Sequence, residues 1–376
     1  MEKLPVTQTD PEALMRSYIR RIATGPEQSK PISLEEVRAG MKLILEQKVD
    51  PIQAGVFLIA LRMKRETDDE NCGVLEALRE ATLAAVAPVE DQVDLADPYD
   101  GFARHLPASP FLPAVLAACG LPAVSHGCER VGPKFGMTHR QILARAGAPV
   151  DLSPEQAATR IADPRIGWAY VDQKFFCPAL HQLVGLRRLI VKRPCVSTLE
   201  KMAGPVRARG RTHLVVGFVH KGYERLLPLM ARHVGYTTAL IIRGVEGGVI
   251  PPLRGPFAGV AYHDAGPDEP LRLDPTEIGI QATLRAPPIP RPAVETTQEG
   301  NEEVPSLDTA AVACAAAEAG MEALQGRPGL PSDSLTYMAA AILWHLRRFD
   351  SLRAAADFVR ATLDSHQAWA HFSSDQ

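Results

Sequence analysis

Between positions 126 and 136 the chain reads His126-Gly127-Cys128-Glu129-Arg130-Val131-Gly132-Pro133-Lys134-Phe135-Gly136. Glycine lets backbone N–H groups come close to an oxyanion, and Lys134 adds a full positive charge. An apolar, strand-like run over 121–124 precedes the segment and a helix-like run over 141–146 follows it. The helix N-terminus would add its positive dipole end. This is the composition of a phosphate cradle. Its spacing is neither that of a P-loop nor that of the dinucleotide fingerprint. A glycine-bearing turn with a solvated lysine has the same composition.

A second charged feature lies further on. Arg187, Arg188, Lys192, Arg193, Lys201, Arg207, Arg209 and Arg211 fall within 25 positions that hold one acidic residue, Glu200. Arginine supplies bidentate donors and lysine a point charge to phosphate oxygens. A solvated basic face is the plainer reading. The cluster holds no stacking aromatics, so nucleic acid would be held by its phosphates, with strong salt dependence and little sequence preference.

Other chemistries are not supported. There is no nucleophile elbow and no H-E-x-x-H motif. His105, His126, His181, His213, His220 and His233 are far apart in sequence, and no metal site is expected from them. The six cysteines, at 72, 119, 128, 177, 195 and 314, contain no C-x-x-C, as suits a reducing compartment. The 376 residues carry a formal net charge of −3, which gives no global pull toward nucleic acid or membrane. No apolar run is long enough to span a bilayer, and the first residues lack a signal-peptide core. The expected setting is the cytoplasm, with no membrane partner.

The elements that must position these residues change type along the chain. Ser33…Glu36 and Thr67…Glu70 are capping boxes, and Asp50-Pro51 is a helix start. The helix over 52–63 is apolar nearly all round, which predicts burial. It is equally suited to a dimer interface. From about residue 95, β-rich runs at 166–171, 214–219 and 237–242 alternate with helical stretches, predicting a mainly parallel sheet. Residues 285–305 read as a linker or long loop, and helices return over 310–324, 334–347 and 351–363.

Taken together, these segments resemble the anthranilate phosphoribosyltransferase family, also called glycosyltransferase family 3. The helical start, with Val49-Asp50-Pro51-Ile52-Gln53-Ala54 and 58–64, resembles its small domain. Residues 126–136 resemble its H-G-N-R-S-V-S-S-K-x-G loop, position for position. Ile166-Gly167, the stretch from Leu186-Arg187 to Arg193, Ala203-Gly204-Pro205 and the helices over 340–365 follow in family order. The resemblance implies an α/β protein of phosphoribosyltransferase-like fold. A small all-helical domain (1–90, with a returning segment about 176–205) would also dimerise. A larger domain (91–175 and 206–376) would carry the mainly parallel sheet. It further implies phosphate or ligand contacts at His126, Gly127, Lys134, Gly136, Thr138, Asp100, Gly101, Arg187 and Arg193.

The chain departs from the enzymes where phosphoribosyl pyrophosphate and magnesium bind. The family's G-T-G-G-D loop reads here Asp97-Pro98-Tyr99-Asp100-Gly101, and proline and tyrosine remove close backbone approach. Family Asn-Arg becomes Cys128-Glu129, placing a negative charge where a phosphate is expected. The magnesium-binding Asp-Glu becomes Val249-Ile250, which offers no oxygen ligand, so no cofactor is expected. These losses, with Phe176-Cys177-Pro178 and Thr198-Leu199-Glu200-Lys201, resemble a divergent branch in which some dimeric members bind nucleic acid without sequence preference.

Two readings follow. In the first, DNA or RNA binds non-specifically in a basic groove built by Arg188, Lys192, Lys201, Arg207, Arg209 and Arg211. In the second, the chain is a working pentosyltransferase acting on a phosphoribosyl-type molecule. It would have a changed acceptor and changed metal use, with Asp97, Asp100 or Asp172 standing in for the lost carboxylates.

Overall fold

Local capping starts the helices where the sequence places them. In the computed structural model, which describes residues 10–25, 27–290, 294–299 and 302–374, Asp10 caps α1 (Pro11–Ile22) and Asp50 caps α3 (Pro51–Lys64). Reciprocal capping boxes open α2 (Leu34–Leu45) and α4 (Asp68–Glu80). α2 packs on α4, and α1 on α3. Gly73 permits the first contact, because a Cβ there would lie 2.4 Å from the carbonyl oxygen of Leu34.

The expectation that the third helix is buried all round is corrected. Phe57, Leu58 and Leu61 face the core, but Ile52 and Met63 are 76% and 73% exposed, and Val56 is exposed as well. Apolar composition does not say whether a face is covered.

After a short parallel pair, β1 (Ala85–Ala87) with β5 (Val206–Ala208), the chain builds one seven-stranded sheet. Its strands are β2 (Asp91–Ala96), β3 (Ala123–Gly127), β4 (Trp168–Asp172), β6 (Arg211–Gly217), β7 (Thr238–Ile242), β8 (Phe257–Tyr262) and β9 (Glu269–Leu273). They lie in the order β4-β3-β2-β6-β7-β8-β9. The first five are parallel, and β8 and β9 run antiparallel at one edge.

The two-residue period of the strands sorts side chains to two cores. Val93, Leu95 and Val215 face α5 (Leu112–Ala118) and the C-terminal helices. Leu214, Val216 and Ile241 face the other way, into a core continuous with that of α1 to α4. The intervening helices are α6 (His139–Arg145), α7 (Pro154–Ala162), α8 (Gln173–Phe176), α9 (Pro178–His181), α10 (Val184–Leu189), α11 (Val196–Leu199) and α12 (Tyr223–His233). Of these, α10 touches α3 and α11 touches α4, so this part of the chain returns to the helical bundle.

The expected linker at 285–305 is in part a hairpin, β10 (Val294–Glu299) paired antiparallel with β11 (Glu302–Leu307). Positions 291–293 and 300–301 of that stretch lie outside the described residues. The chain closes with α13 (Thr309–Leu324), α14 (Leu330–His345), α15 (Leu352–Asp364) and α16 (Gln367–Ser373). No helix of the described residues is long and apolar enough to cross a membrane.

Candidate functional site

β2 and β6 are neighbours from which the chain runs to opposite sides of the sheet. In open parallel sheets a crevice forms beyond the carboxyl ends of such strands. Here the crevice is a cavity of about 120 Å3, lined by Pro98 and Asp100 after β2, by Gly217 and Phe218 at the end of β6, and by Lys134, Arg187, Arg193, Glu200, Lys201 and Glu246.

Four cations and three carboxylates share this cleft. Arg187 and Glu200 form two hydrogen bonds of 2.7 Å, both side chains fully enclosed. Arg193 is paired with Asp100. Lys134 stands 3.5 Å from Glu246 and 4.0 Å from Asp100. Lys201 is buried and donates from Nζ to the carbonyl of Gly217 at 2.6 Å. Burial pushes its amine down to about 8, against the pull of Asp97, Asp100 and Glu200. One buried donor, Arg187 Nε, has no partner among the described residues.

Glu246 is the residue that sequence reasoning missed. Its carboxylate accepts backbone N–H bonds from Ala103, Arg104 and His105 at 3.0, 2.8 and 3.0 Å. His105 Nδ1 lies 3.4 Å away. Burial works against ionisation, but these bonds and the nearby Lys134 hold the carboxyl down at about 2. The available sequence signal was an acid among glycines, Gly244-Val245-Glu246-Gly247-Gly248, placed at a positive φ of 52°.

The His126 segment reaches the cleft through Lys134 alone. His126 is enclosed: its Nε2 donates to Asp94 at 2.8 Å, its Nδ1 meets the Tyr99 hydroxyl, and Tyr236 donates to the other oxygen of Asp94 at 2.5 Å. Gly127 packs beneath Tyr170. Gly101 and Gly136 allow two loops to touch, since a Cβ on Gly136 would lie 2.5 Å from the carbonyl oxygen of Phe102 and one on Gly101 would lie 2.5 Å from that of Met137. Thr138 caps α6 and donates to the carbonyl of Glu129. His126, Gly127, Gly101, Gly136 and Thr138 do not line the cavity; they build the loop that presents Lys134. Glu129 also does not oppose a phosphate in the cleft, because its exposed carboxylate pairs with Arg140 at 3.4 Å.

The basic cluster divides into several environments. Arg188 and Lys192 are exposed and have no ion-pair partner among the described residues. Arg207 lies over the ring of Tyr236 at 3.7 Å. Arg209 pairs with Glu90, and Arg211 with Asp91. Arg211 begins β6 and Gly217 ends it at the cleft, so the two are on the order of 20 Å apart at the usual rise per residue. Within one chain, Arg187, Arg193 and Lys201 line the cleft, whereas Arg211 lies at the opposite end of a strand.

The three acids expected to stand in for the lost carboxylates in the transferase reading are engaged. Asp97 bonds His139 at 2.6 Å and the backbone N–H of Val249 at 2.6 Å. Asp172 caps α8 through the N–H of Lys174, and burial pushes its carboxyl up. Asp100 holds Arg193. Val249 and Ile250 are buried aliphatics. Magnesium needs several oxygen donors, and this donor set does not fit it. Among the described residues no three His, Cys, Asp or Glu side chains are grouped to hold a metal ion.

Residues 16–82 match the glycosyl transferase family, helical bundle domain. Over 358 residues the chain is 25% identical to the anthranilate phosphoribosyltransferase of Rhodopseudomonas palustris (strain BisA53), covering 95% of this chain and 96% of that protein. It is 30% identical over 223 residues to an uncharacterized protein of Aquifex aeolicus, covering 58% and 65% of the two chains. In fold it is similar to the anthranilate phosphoribosyltransferase of Thermus thermophilus, with a TM-score of 0.70 at 18% identity over 96% of this chain and 97% of that one. The Saccharomyces cerevisiae enzyme in complex with PRPP and Mg gives 0.71 at 15% identity, over 96% and 98%.

Proposed function

The chain belongs to the anthranilate phosphoribosyltransferase family, and on that premise we propose that it binds a phosphate-bearing ligand in the cleft, without transferring a phosphoribosyl group to anthranilate. One observation carries the reading. Lys134, Arg193 and Lys201 line a single cavity with Arg187 in its wall. The four cations outnumber the three carboxylates of that cleft, so an oxyanion placed there is favoured.

Loss of the transfer is supported by three substitutions of chemistry. Pro98 and Tyr99 stiffen the loop that carries Asp100. Val249 and Ile250 cannot ligate magnesium. Arg187, which the family resemblance would offer to an aromatic acid, is neutralised by Glu200. The activity we infer is ligand binding by Lys134, Arg193 and Lys201, with Asp100 holding Arg193 in place.

Calorimetry with inorganic pyrophosphate, with and without magnesium, tests this. Binding that is independent of magnesium and weakened in Lys134→Met and Arg193→Met supports it. Magnesium-dependent conversion of phosphoribosyl pyrophosphate and anthranilate would overturn it.

Nucleic acid remains a second reading, favoured by the exposed, unpaired Arg188 and Lys192 next to Arg193. It requires single-strand binding that falls steeply with salt. We also propose that the chain pairs with a second copy through the exposed apolar face of α3. Ile52→Lys with Met63→Lys should then give a monomer in light scattering. An unchanged mass would reject that interface.

A further inference from the structure

Arg104, Arg243 and Arg285 line a second, larger cleft of about 670 Å3 beside the first. Val219 and Glu246 border both clefts. All three arginines are exposed, and among the described residues none of their side chains has an ion-pair partner. Three guanidinium groups around one cleft repel one another unless an anion lies between them. Elsewhere the chain supplies that anion: Glu200 for Arg187, Asp100 for Arg193, and Glu246 for Lys134. Among the described residues lining the second cleft the one carboxylate is Glu246, already held by three backbone N–H groups.

The arginines are placed by fixed backbone. The carbonyl of Arg285 accepts from the N–H of Leu253 at 2.8 Å. Arg104 donates its own N–H to Glu246 at 2.8 Å. Arg243 directly follows β7, where Gly244 bonds back to Ile242 at 2.9 Å. Pro252 and Pro256, with restricted backbones, form part of the wall. The backbone of this corner already holds one oxyanion, since the N–H groups of Ala103, Arg104 and His105 clasp the Glu246 carboxylate.

We infer that Arg104, Arg243 and Arg285 form a second anion site, which takes a phosphate group, with Glu246 as the wall it shares with the first cleft. The planar fork of arginine matches phosphate oxygens in pairs. A ligand that occupies both clefts carries at least two phosphate groups, as a small oligophosphate or a single-stranded phosphodiester does. That two-site ligand rests on the function proposed above, whereas the second site stands on its own residues.

The experiment compares wild type, Arg243→Ala/Arg285→Ala and Lys134→Met/Arg193→Met, using inorganic tripolyphosphate and oligothymidylate as probes. The arginine variant should bind the preferred probe at least about tenfold more weakly, the equivalent of one lost charge-assisted contact. Wild-type affinity in that variant overturns the inference. Weakening in the arginine variant alone, with Lys134→Met/Arg193→Met unchanged, supports this site and overturns the first cleft instead. No binding of either probe to wild type overturns both. A preference for oligothymidylate, with a salt slope reduced by about 1.4 in the arginine variant, identifies a phosphodiester source. A preference for tripolyphosphate identifies a small one.

Discussion

Arg187 and Glu200 face each other through two parallel hydrogen bonds of 2.7 Å, both side chains buried in the wall of the cleft. Burial opposes the charge on Arg187, but Glu200 outweighs it and raises the guanidinium above its ordinary value. Glu200→Gln would strand a buried cation. The expected cost is about 3–5 kcal/mol, read as a lower midpoint in denaturant unfolding. An unchanged midpoint would show that Arg187 finds another partner.

Lys201 gives a pH-dependent stability. Its amine is pushed down to about 8 in the folded chain, from an ordinary 10.5. Between those values the unfolded chain holds the proton more firmly, so stability should rise with pH through that window. Lys201→Met should remove the rise. A bound phosphate would pull the amine back up. Calorimetry between about pH 8 and 9, in buffers of different ionisation heat, should therefore show proton uptake on binding. Heats that do not depend on buffer would exclude Lys201 from the ligand.

Glu246 acts in the opposite direction. Its carboxyl, at about 2 when folded, contributes stability fully above the ordinary carboxylate range, and that stability is lost as pH falls from about 4.5 toward 2. Glu246→Gln should flatten the acid limb of an unfolding curve. It also removes an anion that competes with the ligand for Lys134, so phosphate affinity at neutral pH should increase. A decrease would mean that Glu246 positions the site rather than competing for it.

Gly136 and Gly185 make a matched pair. Alanine at 136 would press on Phe102 and displace the loop that carries Lys134, at a cost of roughly 1–3 kcal/mol and with weaker phosphate binding. Alanine at 185, within α10 and with open space around it, should be neutral or stabilising by up to about 1 kcal/mol. Thermal unfolding of the two variants reads the difference. Equal melting temperatures would contradict the loop contact.

What the sequence reveals depends on how local the cause is. Ser33 with Glu36, and Thr67 with Glu70, are three residues apart, and both capping boxes form as their spacing predicts. β2 is harder to foresee, because Gln92 and Asp94 are polar residues in a central strand. Asp94 is satisfied there by His126 and Tyr236, and the Gln92 amide donates to the Val206 carbonyl, all far away in the chain. Lys134, Arg193 and Lys201 are visible as charges in motif context. Glu246 is not, because its donors are backbone N–H groups 141–143 residues earlier, and backbone groups leave no trace in residue type. The basic cluster misled for a related reason: Lys201 sits beside Gly217 at the cleft end of β6, whereas Arg211, ten residues on, begins that strand at its far end.

Tyr99 meets His126 on one side and lies 3.2 Å from the carbonyl oxygen of Glu200 on the other. One buried phenol thus ties the centre of the sheet to the segment that returns to the helical bundle. Swinging the two bodies apart would part the buried Tyr99 hydroxyl from the Glu200 carbonyl, leaving that acceptor without its donor. That contact and the apolar core shared with α1 to α4 both oppose hinge opening.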